Sequence, residues 1–334
     1  MKKRILLLTT GGTIASGETG NGLAPVLTPA DILQYVQEFA EICEVVPCEV
    51  CSIDSTNMDA AYWLLLANKI RENYVDYDAF VVCHGTDTMA YTAAALSYLI
   101  QNSGKPIVFT GAQKSLLSEI TDARKNLHDS ILCALDDRSC DVMVVFNGNI
   151  IAGTRAKKTA TFSYDAFSSI NFPVIGKIQD EVVLYYIENK GKGGVRFYDT
   201  MDRKVFLLKL TPGLSVEIID AILELYDCII VEGFGVGGLP EHLNKAFTEA
   251  MKRYQPYEKI LIMSTQVTYE GSSMDTYVVG KAAKDNLPFL ETYDMTLEAV
   301  FAKIMWILGL HITDRAEIEK LFYKKINFDI FRNE

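Results

Sequence analysis

No run of about eighteen apolar residues occurs in the 334-residue chain, so no segment reads as a membrane-spanning helix. The basic triplet Lys2-Lys3-Arg4 precedes only a brief apolar run, which ends in Gly-Gly without a plausible cleavage site; that run reads as a strand and not as a signal peptide. Basic clusters are scarce as well. The formal charge is −11, the pI is near 5.0, and the terminal triplet is the densest cationic group. A nucleic-acid surface gathers Lys and Arg against phosphates, so a nucleic-acid partner is excluded from the expectation. The seven cysteines are an odd number without a secretory signal, which fits free thiols in a reducing cytoplasm. Cys48-Glu49-Val50-Cys51 has C-x-x-C spacing, but no second pair and no His-x-x-x-His follows. The stretch from Val46 to Ile53 reads as extended, so neither zinc nor a redox dithiol is expected. Histidines number only four, and His84 reads as a satisfied buried residue before it reads as a metal ligand or a base.

What is present is an ordinary globular balance, 49% hydrophobic and 22% charged, in a chain long enough for two domains. Arg4-Ile5-Leu6-Leu7-Leu8 is a short apolar run suited to a strand buried on both faces. It breaks into Thr9-Thr10-Gly11-Gly12-Thr13-Ile14-Ala15-Ser16, and Gly17 to Gly22 then reads as a mobile loop. Thr28-Pro29-Ala30-Asp31 carries the signs of a helix start. A strand is expected to end near Ile53, with Asp54 to Asn57 on the following loop. A helix should span 58–72 with Tyr62, Leu65, Leu66 and Ile70 on one side. Further strands fall at 79–83, 106–109 and 142–146. Helices fall at 89–100, with Met89, Leu96, Leu99 and Ile100 as core, and at 122–135. Strands alternating with helices predict an α/β fold whose larger N-terminal domain is a doubly wound parallel sheet. From Gln179 to Arg203 that rhythm stops at the Gly/Lys-rich patch Asn189 to Gly194. The expected organisation is therefore an N-terminal catalytic domain over 1–185, a linker over 186–204, and a smaller C-terminal α/β domain over 205–334. In the latter, strands are expected at 205–210, 228–231 and 259–263, with helices at 215–225 and 241–254 and two closing helices from Thr296 and Thr313.

Ligands of open α/β sheets bind at the carboxyl ends of the strands. Two adjacent glycines at such an end let the backbone turn sharply and come close to a ligand, and the hydroxyl of Thr13 follows them at once. The same stretch also fits a tight turn whose threonines satisfy local backbone groups. Other strand exits carry Ser55, Thr86, Asp87 and the Gly111-Ala112 backbone, and Arg155-Ala156-Lys157-Lys158 supplies nearby cations. A lysine desolvated beside a carboxylate can accept a hydroxyl proton. Hydroxyl, lysine and carboxylate would then be nucleophile, base and orienting group.

Thr10-Gly11-Gly12-Thr13-Ile14-Ala15, His84-Gly85-Thr86-Asp87-Thr88-Met89 and the segment from Arg155 to Asn171 resemble the bacterial-type L-asparaginase family, most of all its cytoplasmic type I members. The likeness runs from residue 2 to about 310. It implies an asparagine amidohydrolase without metal or organic cofactor. By position it makes Thr13 the nucleophile that forms a β-aspartyl acyl-enzyme, and Thr86, Asp87 and Lys158 a second triad. Asp87 would also receive the substrate α-amino group, Ser55, with Thr56 beside it, would hold the α-carboxylate, and Ala112 would offer a carbonyl to the side-chain amide. The resemblance further implies a homodimer or a dimer of dimers in the cytoplasm, with L-asparagine as the partner. Two departures stand out. Leu23 occupies the flap position where family members carry a tyrosine, and Val267 follows Thr265-Gln266 where some cytoplasmic members have a cysteine of an allosteric asparagine site. The flap, residues 16–27, is expected to close over bound substrate, with Leu23 or Val26 as an apolar lid.

Three alternatives accompany that expectation. The amidohydrolase subunit of a tRNA-dependent amidotransferase shares the domain, but it has an extra N-terminal domain, whereas here the first strand begins at residue 4. Gly233-Phe234-Gly235-Val236-Gly237-Gly238 satisfies G-x-G-x-x-G between a strand and a helix, as in a nucleotide-linked enzyme, yet the next strand ends Met263-Ser264-Thr265-Gln266 without the acid a ribose needs. A catalytically silent amino-acid sensor is the third.

Overall fold

The computed structural model describes residues 2–20, 22–188, 193–255, 257–276 and 287–331, and the chain divides into two compact units, Met1–Asp199 and Thr200–Glu334. In the first unit β1 (Lys3–Gly11) opens the sheet, and Ile5, Leu6, Leu7 and Leu8 are all buried, as a strand covered on both faces requires. The segment expected to be a loop is instead an antiparallel hairpin of β2 (Ser16–Thr19) and β3 (Gly22–Pro25), with Ser16 opposite Pro25 and Glu18 opposite Leu23. Asn21 and the side chain of Leu23, the expected lid, lie outside the described residues.

Thr28 caps α1 (Pro29–Ile32) with a capping box closed by Asp31, as its sequence signals. The helix tightens to 3₁₀ geometry over Leu33–Glu41 and breaks at Val36. Then β4 (Cys43–Ile53) runs parallel to β1. Pro47 is tolerated in mid-strand because β4 is the edge of the sheet, so its missing N–H leaves no ladder bond unmade. Asp59 caps α2 (Ala60–Asn73). Leu66 and Ile70 face inward as expected, but Leu65 is exposed and Trp63 completes the buried face. The indole N–H of Trp63 donates to Thr92 Oγ1 at 3.0 Å, and burying that large ring fixes the helix rotation.

The remaining parallel strands are β5 (Ala79–Cys83), followed by α3 (Met89–Leu99), which is buried all round; then, after the short β6 (Ile100–Gln101), β7 (Pro106–Thr110), followed by α4 (Ala123–Leu135); and β8 (Asp141–Phe146). The strands after β8 are antiparallel: β9 (Asn149–Ala152), the hairpin of β10 (Ala156–Lys158) and β11 (Phe167–Ser169), then β12 (Gly176–Gln179) and β13 (Val182–Tyr185). The cause is local. Asn147 and Gly148 both have positive φ, 48° and 74°, and make a two-residue turn that sends β9 straight back along β8. The eight-stranded sheet has the order β13-β12-β9-β8-β7-β5-β1-β4. Its parallel part therefore reads two-one-three-four-five in chain order, and the switch point lies between β1 and β5. Of the Gly/Lys-rich patch, residues 189–192 lie outside the described residues; beyond it β14 (Arg196–Phe197) pairs with β6.

The second unit is a parallel sheet of β15 (Val205–Lys209), β16 (Cys228–Gly233), β17 (Ile260–Thr265) and β18 (Phe289–Glu291), in that order. Between them lie α5 (Glu217–Leu225) and α6 (Glu241–Met251); α7 (Leu297–Gly309) and α8 (Arg315–Tyr323) close the chain. Thr296 caps α7 as expected, whereas the cap of α8 is Asp314, one residue beyond Thr313. Lys303 on α7 and Asp329 form an ion pair at 2.6 Å with both side chains wholly buried. Burial pushes the Lys303 ammonium down and Asp329 draws it back up. The ammonium also donates to Lys324 O, and Asp329 accepts from Ile326 N, so the pair fastens the segment after α8. Asp329→Ala leaves a buried cation unpaired and should cost about 3–5 kcal/mol in urea unfolding, whereas Lys303→Met with Asp329→Leu should cost far less. A single variant as stable as the native chain would contradict this reading of the pair.

Candidate active site

The first requirement of the site is space for backbone. Gly12 has φ 80°, and a Cβ placed there would stand 2.4 Å from the Cα of Gly85; a Cβ on Gly85 would stand 2.6 Å from Ser55 Oγ. The exits of β1 and β5 thus meet main chain to main chain, and the Ser55 side chain of the β4 exit packs directly on Gly85, at separations no further side chain permits. Just past this contact Thr13 opens one 3₁₀ turn, Thr13–Ala15, half-buried, and Ser16 Oγ donates to Gly12 O at 2.9 Å. Thr86 is one residue past Gly85 and buried. The two hydroxyl residues therefore follow the two glycines in register, at the switch point of the sheet.

At the β4 exit Asp54 caps a short turn and Ser55 is buried. Thr88 Oγ1 donates to Ser55 O at 2.7 Å and ties this turn to the β5 exit. Thr56 is exposed, and its hydroxyl donates to Asp54 Oδ1 at 2.9 Å. At the β7 exit Ala112 is fully buried. Asp122, at the start of α4, accepts from the N–H groups of Gln113 and Lys114 at 2.9 and 3.0 Å and holds the turn.

Lys158 comes from the antiparallel extension. Its strand pairs with β11, Lys158 opposite Phe167, and Arg155 anchors the base of the hairpin: it is fully buried, its guanidinium 5.3 Å from the centre of the Phe172 ring. Strand alternation turns Lys157 and Lys158 to opposite faces, and Lys158 is the one that arrives at the site. Its ammonium donates to Thr86 Oγ1 at 2.8 Å and to Asp87 Oδ1 at 2.6 Å, with 18% of its side chain exposed against 57% for Asp87. The lysine thus bonds both a hydroxyl and a carboxylate at the β5 exit.

Sequence reasoning missed Gln113. Its Oε1 lies 3.4 Å from Thr86 Oγ1, and its Nε2 donates to Thr161 O and Ser163 O at 2.9 and 3.1 Å. His84 is fully buried, as expected, but half-satisfied: Nδ1–H donates to Gly85 O at 2.7 Å and Nε2 has no hydrogen-bond partner among the described residues. Burial lowers its pKa from 6.5 to about 4, which makes it a neutral ring bracing the glycine turn. No group of three or more His, Cys, Asp or Glu among the described residues has the geometry to hold a metal ion. The G-x-G-x-x-G turn of the second unit is closed on itself. Phe234 N donates to Gly238 O, Gly237 N and Gly238 N donate to Phe234 O, and Thr265 Oγ1 donates to Gly235 O. Those amides do not face outward as a phosphate cradle requires.

Fold and site define an α/β protein with a hydroxyl–lysine–carboxylate crevice at the switch point of its larger sheet. Comparison with known proteins narrows the class. The profile described as Asparaginase, N-terminal, matches residues 4–190, and the Glutaminase/Asparaginase C-terminal domain matches 204–322. An L-asparaginase of Thermococcus kodakarensis is 35% identical over 98% of this chain and 99% of its own. The solved structure of the thermostable L-asparaginase from that organism superposes with a TM-score of 0.92, at 34% identity, over 99% of this chain and 100% of that one. L-asparaginase I from Vibrio cholerae gives 0.86 at 29% identity over 99% and 100%. A glutamyl-tRNA(Gln) amidotransferase subunit of Pyrococcus furiosus is 34% identical over 95% of this chain but 74% of its own. The chain belongs to the asparaginase family.

His84 makes the stability of this site pH-dependent. Its folded pKa, about 4, lies below the unfolded 6.5, so the unfolded chain takes up the proton first as pH falls. Its contribution is full above 6.5 and is lost towards pH 4, up to about 3 kcal/mol. Urea midpoints at pH 7.5 and 5.0 should converge in His84→Asn, whose Nδ2 stands where Nδ1 donates to Gly85 O; an unchanged pH loss would remove His84 as its source.

Proposed function

We propose that the chain hydrolyses L-asparagine to L-aspartate and ammonia, with Thr13 as the nucleophile. The observation that carries this reading is the Lys158 ammonium held between Thr86 and Asp87, at the strand exit packed against the one that bears Thr13. The names of the relatives that match this chain from end to end support the substrate. Thr13 Oγ attacks the side-chain amide carbon and gives up its proton; the C–N bond breaks and the proton leaves with the nitrogen as ammonia. The β-aspartyl ester on Thr13 is then opened by water, which returns the threonine hydroxyl and releases aspartate. Thr86 and Lys158 relay the proton in both halves, and backbone N–H groups at the glycine turn stabilise the oxyanion.

The amino-acid head group carries two opposite charges. The partly exposed Asp87 receives the α-ammonium, Ser55 donates to the α-carboxylate, and Ala112 O accepts from the side-chain amide. Thr56, whose hydroxyl is directed to Asp54, contributes through its place in the turn beside Ser55. No cofactor enters this scheme. We further propose a cytoplasmic location, which seven free cysteines suit, and the homodimer or dimer of dimers that the family resemblance implies. The identity to the amidotransferase subunit favours a second reading, ammonia supply to a tRNA-bound reaction. The net charge of −11 opposes it.

A coupled ammonia assay on free asparagine decides between the two: turnover without tRNA supports the first, and ammonia released only in the presence of a tRNA complex supports the second. In the same assay Lys158→Met should lower kcat by ~10²–10⁴. Thr13→Ala should abolish turnover with the fold and aspartate binding kept, and an alanine variant within about tenfold of the native rate would remove Thr13 from the mechanism. An asparagine analogue lacking the α-amino group loses its ion pair to Asp87, which keeps Lys158 as a partner, and should fall by about tenfold or more in kcat/KM, where equal rates would show that Asp87 does not read the head group.

A further inference from the structure

We infer that Gln113 is a positioning residue for the proposed hydrolysis, acting through the Thr86 hydroxyl. The inference rests on the reading of Thr86 and Lys158 given above and extends it to a residue outside their triad. A threonine hydroxyl has one hydrogen to give, and the direction of that hydrogen decides which face of the oxygen is open. At rest Lys158 Nζ donates to Thr86 Oγ1 at 2.8 Å and the Thr86 hydrogen points to Gln113 Oε1, at 3.4 Å, which holds the hydroxyl in place until that hydrogen turns to Lys158 in its neutral form and Thr86 Oγ1 takes the proton of Thr13. The contact is long for a hydroxyl bond, as resting hydrogen bonds of reacting groups often are before a ligand closes the site.

The orientation of the Gln113 amide is set by its surroundings. Both hydrogens of Nε2 go to main-chain carbonyls, Thr161 O at 2.9 Å and Ser163 O at 3.1 Å. Turning the amide over would set an oxygen against those two carbonyls and an NH2 against Thr86, so the acceptor faces Thr86. The residue is fixed at its other end as well, where its backbone N–H donates to Asp122 Oδ2 at 2.9 Å. Residues 161–163 belong to the connection between β10, which ends at Lys158, and β11. One amide thus orients the hydroxyl that faces the lysine and tethers the loop that follows the lysine. It does so from the exit of β7, an element that carries neither group.

The test is steady-state kinetics on asparagine, with urea midpoints, for Gln113→Met, which has similar reach and no amide, and Gln113→Glu, which keeps an oxygen for Thr86 and loses both donors. Gln113→Leu replaces the methionine variant if that one is insoluble. The orienting role predicts a fall in kcat of about tenfold or more for Gln113→Met, with KM within about threefold and an unchanged urea midpoint. Gln113→Glu sets its second oxygen against the two loop carbonyls and should recover kcat only as pH falls and its carboxyl takes up a proton that one of them accepts. A kcat for Gln113→Met within about twofold of the native enzyme overturns the inference. So does a Gln113→Glu variant as slow as the methionine one at every pH where the native enzyme works, and so does a fall in kcat that tracks a lowered midpoint. A native chain that releases no ammonia from asparagine overturns the functional reading itself, whatever the variants do.

Discussion

The arrangement depends on one close approach. Gly12 at the exit of β1 lies against Gly85 at the exit of β5, and Gly85 lies against Ser55 at the exit of β4, with no room for a Cβ at either glycine. Because the strands are parallel and adjacent, their exits are level, and the residue after each glycine is delivered to one crevice. His84, neutral and buried, holds the Gly85 carbonyl, and Thr88 holds that of Ser55. The turns are therefore fixed from beneath by hydrogen bonds and from the side by contact, which is how a site on loops gains the rigidity of the sheet below it.

The cation arrives by a different route. After β8 the parallel pattern ends at the Asn147-Gly148 turn, and the chain lays down antiparallel strands whose β10–β11 hairpin carries Lys158 to Thr86 and Asp87. A parallel strand ends its reach at its own exit, whereas a hairpin projects a side chain across the mouths of others. The hydroxyls and the carboxylate are thus supplied by the regular part of the sheet and the lysine by its irregular continuation. Gln113 stands where the two parts touch.

This division also accounts for how much of the molecule is legible in the chain. Apart from the half-exposed edge strand β4, the parallel strands are largely apolar runs buried on both faces, and Thr13, Ser55, Thr86, Asp87 and Ala112 are readable at the strand ends from position alone. The helix cap at Thr28 is readable from its chemistry. The antiparallel extension is written in Asn147-Gly148 but is masked by the β/α rhythm before it, and the hairpin after Ser16 by glycines that suit a loop equally well. The inward face of α2 is misread at Leu65 because a nearby tryptophan, Trp63, outweighs a leucine for the interior. Lys158 is singled out by resemblance; spacing alone does not distinguish it from Lys157, and strand alternation does. Nothing in the residues near Gln113 announces its role, which arises from carbonyls about fifty positions away in the chain that only the fold brings within reach.

The central claim is that Thr13 carries the substrate through a covalent ester. The most direct measurement is to quench the enzyme in acid during turnover of asparagine and map the modified peptide by mass spectrometry. The account predicts a β-aspartyl adduct on the peptide that contains Thr13, absent in the zero-time sample and in Thr13→Ala. An adduct on Thr86, with Thr13 unmodified, would contradict it.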